Sequence, residues 1–291
     1  MKGIVLAGGL GTRLHPSTIS VSKQLLPVYD KPLIYYPISN LLSAGINEIL
    51  IISTSSNIDL FKKLLGNGED LGIKIFYESQ DIPNGIAEAF IIGEKFIGSD
   101  DVTLILGDNI YYGNQINEQL KNQASTKTNG AKIFAYKVQD PERYGVVEFD
   151  EAKSVVSIEE KPKFPKSSYA VTGLYVYDQS VCGLAKSLKP SDRGELEITD
   201  LNNLYLAQNK LEVILLDAGT AWLDAGTPDS LLEAAHFVQA IQHRQLIQIG
   251  CIEEIAFNQG YISKDRFKEI VKEAPKNKYG DYLRAIEKNL S

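Results

Sequence analysis

The first stretch of the chain able to do chemistry is Leu6-Ala7-Gly8-Gly9-Leu10-Gly11-Thr12-Arg13-Leu14, which overlaps the end of a strand-like apolar run, Gly3–Ala7. Glycines at such a point let the backbone turn sharply and bring its N–H groups close to an anion. Arg13 adds a planar guanidinium fork that matches phosphate oxygens. Two familiar nucleotide loops do not fit. A Walker loop ends in Gly-Lys-Ser/Thr, whereas this one ends Gly11-Thr12-Arg13. The dinucleotide fingerprint needs a small residue where Leu14 stands and an acid after the second strand, which here ends Ile52-Ser53-Thr54. About ten residues beyond Arg13, Ser22-Lys23-Gln24-Leu25-Leu26-Pro27 offers an ammonium that could fold back onto the same anion.

Carboxylates follow at two points. Val102–Leu106 has the character of a buried strand, and Gly107-Asp108 places an acid at its carboxyl end, the edge where open α/β sheets bind ligands. Asp224 closes the apolar run Ala221-Trp222-Leu223, and Asp224-Ala225-Gly226-Thr227-Pro228 reads equally well as a turn opening a helix. Glu159-Glu160-Lys161-Pro162, after the strand Val155–Ile158, reads on its own as a solvated charged strand end. A reaction between phosphorylated polyanions would use such a set. Fixed cations align the phosphates, and two carboxylates hold a hard cation such as Mg²⁺.

The elements that must carry these residues alternate. Strand-like runs Gly3–Ala7, Glu48–Ser53, Lys74–Tyr77 and Val102–Leu106 are separated by helical patterns at Leu33–Ala44, Ile58–Leu65 and Ile86–Phe96. Continuous apolar strands joined by helices predict a mostly parallel sheet covered on both faces, an α/β fold. After Gly130 the runs Ala131–Val138, Gly145–Phe149, Val155–Ile158 and Ala170–Tyr177 come without helices between them, which predicts antiparallel additions. A helix near Glu197–Gln208, a strand at Leu211–Leu216 and a long helix from Ser230 to about Gln245 complete a domain over 1–245. Residues 246–291 read as a C-terminal helical extension that packs on the core or on a neighbouring subunit.

Bulk properties narrow the function class. The 291 residues carry 30 Lys+Arg against 37 Asp+Glu, a net charge of −7, which argues against a sequence-independent nucleic-acid binder. With 44% hydrophobic and 23% charged residues, disordered and collagenous readings are excluded. No apolar run approaches the roughly 20 residues of a membrane helix. The apolar start Ile4–Ala7 is stopped by Gly8-Gly9 too early for a signal peptide, so a cytoplasmic protein is expected. Cys182 and Cys251 lie in no metal or redox spacing, and His15, His236 and His243 are scattered.

The glycine loop followed by Lys23-Gln24-Leu25-Leu26-Pro27 resembles the signature of the nucleotide-sugar pyrophosphorylases. The likeness continues through Leu25–Pro37, Gly107-Asp108-Asn109, Asp140–Glu148, Glu159–Pro162, Val171–Tyr175, Arg193–Asp200 and Ala221–Thr227. It implies a Rossmann-like nucleotidyltransferase fold. The member followed over nearly the whole chain joins dTTP to α-D-glucose 1-phosphate with Mg²⁺, giving dTDP-glucose and pyrophosphate, the opening step toward dTDP-sugars of the rhamnose type. By this resemblance Asp108 and Asp224 hold Mg²⁺. Gly8, Gly9, Gly11, Thr12, Arg13, Lys23, Gln24 and Asp108 handle the triphosphate. Gln80, Pro83 and Gly85 meet the base; Leu6 and Leu106 are candidates to line that pocket, with core packing the stronger reading for each. Asn109, Tyr144, Gly145, Glu160, Lys161, Val171, Tyr175 and Arg193 frame the sugar phosphate, Gly145 and Gly173 being equally readable as strand bulges. Arg13, Lys23, Lys161 and Arg193 are the expected catalytic cations. The family is tetrameric, so a homotetramer is expected. The family also often carries a second, regulatory nucleotide site at a subunit contact; no self-contained motif marks one here, and Gly219, the helix near 114–119 and the C-terminal segment are the region concerned.

Rival readings keep the fold and change the role: a sugar-phosphate nucleotidyltransferase using UTP, CTP or ATP, or a catalytically silent nucleotide-sugar sensor. A sensor would have lost the metal acids or the loop arginine, and Asp108, Asp224, Arg13 and Lys23 are all present. Thymine and uracil differ by one methyl, worth only about 1–3 kcal/mol in an apolar pocket, so appreciable UTP use is expected too.

Overall fold

A computed structural model describes residues 1–289; Leu290 and Ser291, the end of the expected extension, lie outside the described residues. In chain order the strands are β1 (Lys2–Leu6), β2 (Pro27–Val28), β3 (Lys31–Pro32), β4 (Glu48–Ser53), β5 (Lys74–Ser79), β6 (Val102–Leu106), β7 (Asn109–Tyr112), β8 (Ala131–Lys137), β9 (Gly145–Phe149), β10 (Val155–Glu160), β11 (Tyr169–Tyr177), β12 (Leu211–Leu215) and β13 (Ala221–Asp224). The helices are α1 (Tyr35–Ser43), α2 (Ser55–Leu65), α3 (Glu88–Ile92), α4 (Glu94–Ile97), α5 (Asn114–Ser125), α6 (Val181–Ser187), α7 (Ile198–Ala207), α8 (Pro228–Gln245), α9 (Ile252–Asn258), α10 (Lys264–Glu273) and α11 (Lys278–Asn289).

The main sheet runs β10-β9-β11-β6-β1-β4-β5, with β8 and β12 attached beside β11. Its centre, β6-β1-β4-β5, is parallel. From β11 outward β9 and β10 pair antiparallel, as the helix-free stretch after Gly130 predicts; β12 instead joins β8 in parallel. Alternate residues of the central strands face opposite ways. Val5, Ile49, Ile51 and Ile105 enter one core with α1 and the C-terminal helices, while Ile4, Leu50, Ile52 and Leu104 enter the other with α3, α6 and α7. Each such fully buried Ile or Leu stabilises the fold by roughly 1.5–3 kcal/mol. The C-terminal helices are thus part of the core, contributing Cys251, Ile252, Phe267, Val271 and Leu283 to it.

Two details depart from the sequence reading. The helical pattern Ile86–Phe96 is broken at Gly93 into α3 and α4. A Cβ there would lie 2.9 Å from the Ala89 carbonyl and 3.2 Å from Ile4, so the break lets the chain pack tightly on β1. The second is a separate two-stranded ribbon, β7 with β13, which joins segments more than a hundred residues apart. A third cluster, Val28, Leu33, Tyr36, Ile110, Ala225, Ala234 and Val238, glues α8 to this ribbon and to the β2–β3 hairpin.

Candidate active site

The parallel strands deliver the glycine loop, Gln80 and Asp108 to one edge of the sheet. Backbone bonds extend the ladder just past the strand ends: Ala7 N–H to Ile52 O (2.7 Å), Gly107 N–H to Leu6 O (2.9 Å) and Gln80 N–H to Ser53 O (2.8 Å). The ribbon aligns Asp224 with Asn109, and Ala225 N–H donates to Asp108 O at 3.0 Å. Helix α8 is opened by Thr227, whose hydroxyl caps Ser230 N–H while Ser230 caps Thr227 in return. Asp224 is therefore the end of β13 rather than a helix cap, and the turn Ala225–Thr227 that follows it opens α8, as the segment's turn reading expects.

Both carboxylates line a cavity of about 490 Å³, together with Arg13, Asn109, Tyr144, Gly145, Glu160, Lys161, Val171 and Tyr175. These predicted residues, drawn from sites spread over two hundred positions, meet at one place. Lys23, nearly buried, forms an ion pair with Asp108. Burial pushes the Asp108 carboxyl up, but the Lys23 ammonium and hydrogen bonds from Lys23 and Asn109 outweigh it and hold the group below the ordinary carboxylate range. Asp224 is shifted the opposite way: burial and then the negative charge of Asp108 raise it, against the opposing pull of Lys23, Arg13 and Arg143. Two hard-oxygen carboxylates facing one cavity, one of them destabilised by the other, suit a Mg²⁺ that keeps waters and takes phosphate oxygens as its remaining ligands. Among the described residues no cluster of three or more His, Cys, Asp or Glu could hold a metal alone; a Mg²⁺ here would share itself with its substrate.

The glycine loop turns at Gly11 (φ 62°), pinned by Thr18 Oγ1 donating to Gly11 O at 2.7 Å. A Cβ on Gly8 would sit 3.0 Å from Gln80 Oε1, so this glycine lets the loop lie against Gln80. Arg13 passes under Gly226, whose added Cβ would lie 2.8 Å from Arg13 Nη2 and 3.1 Å from Asp224 Oδ1. Gly9 and Thr12 open instead onto a separate cavity of about 340 Å³ with His15, Thr18 and Asn57. Gln24 is buried, accepting from Ser22 Oγ at 2.5 Å; Leu6 and Leu106 pair across β1 and β6, partly buried against the core, and Leu106 also lines the cavity of about 490 Å³. Gly85 (φ 106°) has no room for a side chain: a Cβ would lie 2.3 Å from Leu196 O. With Pro83, it belongs to a loop joined to the Arg193–Glu197 segment by Leu196 N–H to Asn84 O and Ala87 N–H to Leu196 O.

On the opposite wall Glu160 Oε2 accepts from Thr199 Oγ1 at 2.6 Å, while Lys161 Nζ lies 3.8 Å and Arg193 Nη2 3.6 Å from Glu160 Oε1. Arg193 is gripped by Glu197 through Nε (3.1 Å) and Nη2 (2.8 and 2.9 Å), bonds that raise its already high pKa. Gly173 sits where the pairing of β11 with β8 shifts register, and a Cβ would lie 2.8 Å from Asn109 Oδ1; bulge and close approach coincide. Asn109 joins the two walls: Oδ1 accepts from Trp222 Nε1 (2.6 Å) and Gly173 N–H (3.3 Å), and Nδ2 donates to Asp108 (3.0 Å).

Sequence reasoning passed over Arg143, Trp222, Thr199, Ile198 and Ile86, all of which line the cavity. Arg143 holds Asp140 at 2.6 Å, lies 3.9 Å from Asp224 and covers the Tyr144 ring. As one of only six arginines and a neighbour of Tyr144-Gly145, it could have been found. The region around Gly219 and residues 114–119 holds a further cavity of about 450 Å³, lined by Asn40, Tyr111, Asn117, Gly219 and Gln248 among others.

Comparison with known proteins agrees with this fold. Residues 2–241 match the family model for nucleotidyl transferase. A glucose-1-phosphate thymidylyltransferase of Neisseria meningitidis serogroup A is 57% identical over 283 residues, covering 97% of this chain and 98% of its own. That of Mycolicibacterium smegmatis is 54% identical with the same shares. A Bacillus anthracis structure described as a putative glucose-1-phosphate thymidylyltransferase, in complex with a sucrose, superposes with TM-score 0.75 at 43% identity over 81% of this chain and 94% of its own. A UDP-glucose pyrophosphorylase complexed with UDP-glucose, 24% identical, shares the fold with TM-score 0.70 over 82% of this chain and 98% of its own. This chain belongs to the nucleotidyl transferase family and is an enzyme of that class.

Proposed function

We propose that the enzyme transfers a thymidylyl group from dTTP to α-D-glucose 1-phosphate, giving dTDP-glucose and pyrophosphate. An oxygen of the sugar phosphate attacks the α-phosphorus in line. One P–O bond forms as the bond to the β-phosphate oxygen breaks, with inversion at phosphorus. The attacking oxygen is already anionic, so no general base is needed, and catalysis rests on alignment and charge. Arg13 and Lys23 hold the triphosphate and stabilise the departing pyrophosphate; Lys161 and Arg193 hold the sugar phosphate, and Glu160 accepts sugar hydroxyls. Asp108 and Asp224 hold Mg²⁺, which when bound neutralises charge on the phosphates. The observation that carries this reading is the meeting of Asp108 and Asp224 with Arg13, Arg143 and Lys161 in one cavity, while Lys23 and Arg193 stand outside its lining, paired with its Asp108 and Glu160. Relatives named for the same activity over nearly the full chain support it. The product opens a route to dTDP-sugars, and a cytoplasmic homotetramer, checked by light scattering, completes the proposal. The test is product analysis: dTTP and glucose 1-phosphate with Mg²⁺ should yield dTDP-glucose and pyrophosphate in equal amounts. Nucleotide bound but unconverted would favour a sensor instead.

A further inference from the structure

We infer that Lys23 closes the Asp108 carboxylate to a bare divalent cation, so that metal binds this enzyme only when a triphosphate draws the ammonium away. This rests on the proposed reading of Asp108 and Asp224 as metal ligands and of Lys23 as a triphosphate contact. Both oxygens of Asp108 are already occupied. Oδ1 accepts from Asn109 Nδ2 at 3.0 Å, and Oδ2 accepts from Lys23 Nζ. A cation that is to reach Asp108 must displace one of these donors.

The two donors differ in their freedom to leave. Asn109 is buried, and its Oδ1 accepts from Trp222 Nε1 (2.6 Å) and Gly173 N–H (3.3 Å), so its NH₂ group cannot turn away. Lys23 carries its ammonium on a flexible four-carbon stem. That ammonium makes no other hydrogen bond or ion pair among the described residues. Lys23 is therefore the exchangeable partner.

The surroundings do not attract a bare cation either. The cavity lining sets Asp108, Asp224 and Glu160 against Arg13, Arg143 and Lys161, and Lys23 adds one more positive charge at its edge. Asp224 lies 3.9 Å from Arg143 and within the field of Lys23 and Arg13. Among the described residues no third carboxylate joins the pair, so a hard cation would find most of its oxygen ligands elsewhere. A triphosphate meets both requirements, giving oxygens to the cation and an anionic partner to Lys23. By linkage, nucleotide and metal then raise each other's affinity for the protein by the same factor.

The test is equilibrium dialysis with Mn²⁺ as the probe, without sugar phosphate, on wild type, Lys23→Met, Asp108→Asn and the double variant. Without nucleotide, wild type should bind Mn²⁺ no better than Asp108→Asn; with dTTP it should retain nucleotide and Mn²⁺ together. Lys23→Met should bind the bare ion about tenfold or more tighter than wild type, and adding Asp108→Asn should remove that gain. Mn²⁺ should also raise the Tm of Lys23→Met, whose Asp108 is left buried without its counterion, and leave that of wild type unchanged. Saturable, Asp108-dependent binding of Mn²⁺ to wild type without nucleotide overturns the inference with no variant needed, and leaves the metal reading standing. An affinity of Lys23→Met within about twofold of wild type overturns it as well. Retention of dTTP by wild type without Mn²⁺ overturns the inference and the metal reading together.

Discussion

On the parallel side of the cleft the Lys23 side chain is 11% exposed and its ammonium rests on Asp108, whereas on the antiparallel side the side chains of Lys161 and Arg193 are 50% and 43% exposed. The difference follows from the scaffold. Strands β1 and β6 are buried on both faces, so a charge at their ends is desolvated and must be paired. Strand β10 is an edge, and Lys161 and Arg193 project from loops beyond it, held against Glu160, Glu195 and Glu197. One wall is a buried, pre-charged site; the other keeps long, half-exposed cations on nearby carboxylates, which on the proposed reading they leave for a phosphate.

That contrast can be broken most severely at Asp108. Asp108→Asn strips Lys23 of its counterion inside the protein and should lower kcat by at least ~10²-fold with an intact circular dichroism spectrum. Near-normal turnover at saturating Mg²⁺ would show that the pre-charged wall does not act as described. On the softer wall, Lys161→Ala should raise KM for glucose 1-phosphate by about 10–100-fold and leave KM for dTTP within about twofold; equal effects on both substrates would erase the distinction between the walls. Glu197→Gln removes the charge that grips Arg193, and a change of about 3–10-fold in KM for glucose 1-phosphate is expected, larger than its change in kcat. The smallest effect is expected from Trp222→Phe, which keeps an aromatic ring but removes the donor to Asn109. A loss near 1 kcal/mol, about fivefold in kcat/KM, corresponds to the one hydrogen bond that fixes Asn109 beside Asp108 from within the ribbon.

The two walls also differ in how readily their residues reveal them. Asp108 and the glycine loop follow strongly apolar strands, and a charged or glycine-rich segment at the carboxyl end of such a strand marks the ligand-binding edge of an open α/β sheet. Lys161 and Glu160, in a short charged run after a half-buried strand, look like any solvated strand end, and their assignment came from family likeness. The ribbon β7–β13 could not be anticipated: Asn109-Ile110-Tyr111-Tyr112 is too short to show a period, and its partner lies more than a hundred residues further along. The bond between Trp222 and Asn109, which lies within that ribbon, was hidden with it. Glu88 illustrates the same limit from another side. An acid in the first turn of a short helix reads as a surface charge, and only the fold shows that Gln80 donates to it.

Pyrophosphate release from dTTP, UTP, CTP and ATP, each with glucose 1-phosphate and with Mg²⁺ or a chelator, tests the central claim most directly. The account predicts release from dTTP, appreciable release from UTP, little from CTP or ATP, and none once the metal is removed. Release from CTP or ATP equal to that from dTTP, or release undiminished by the chelator, would contradict it.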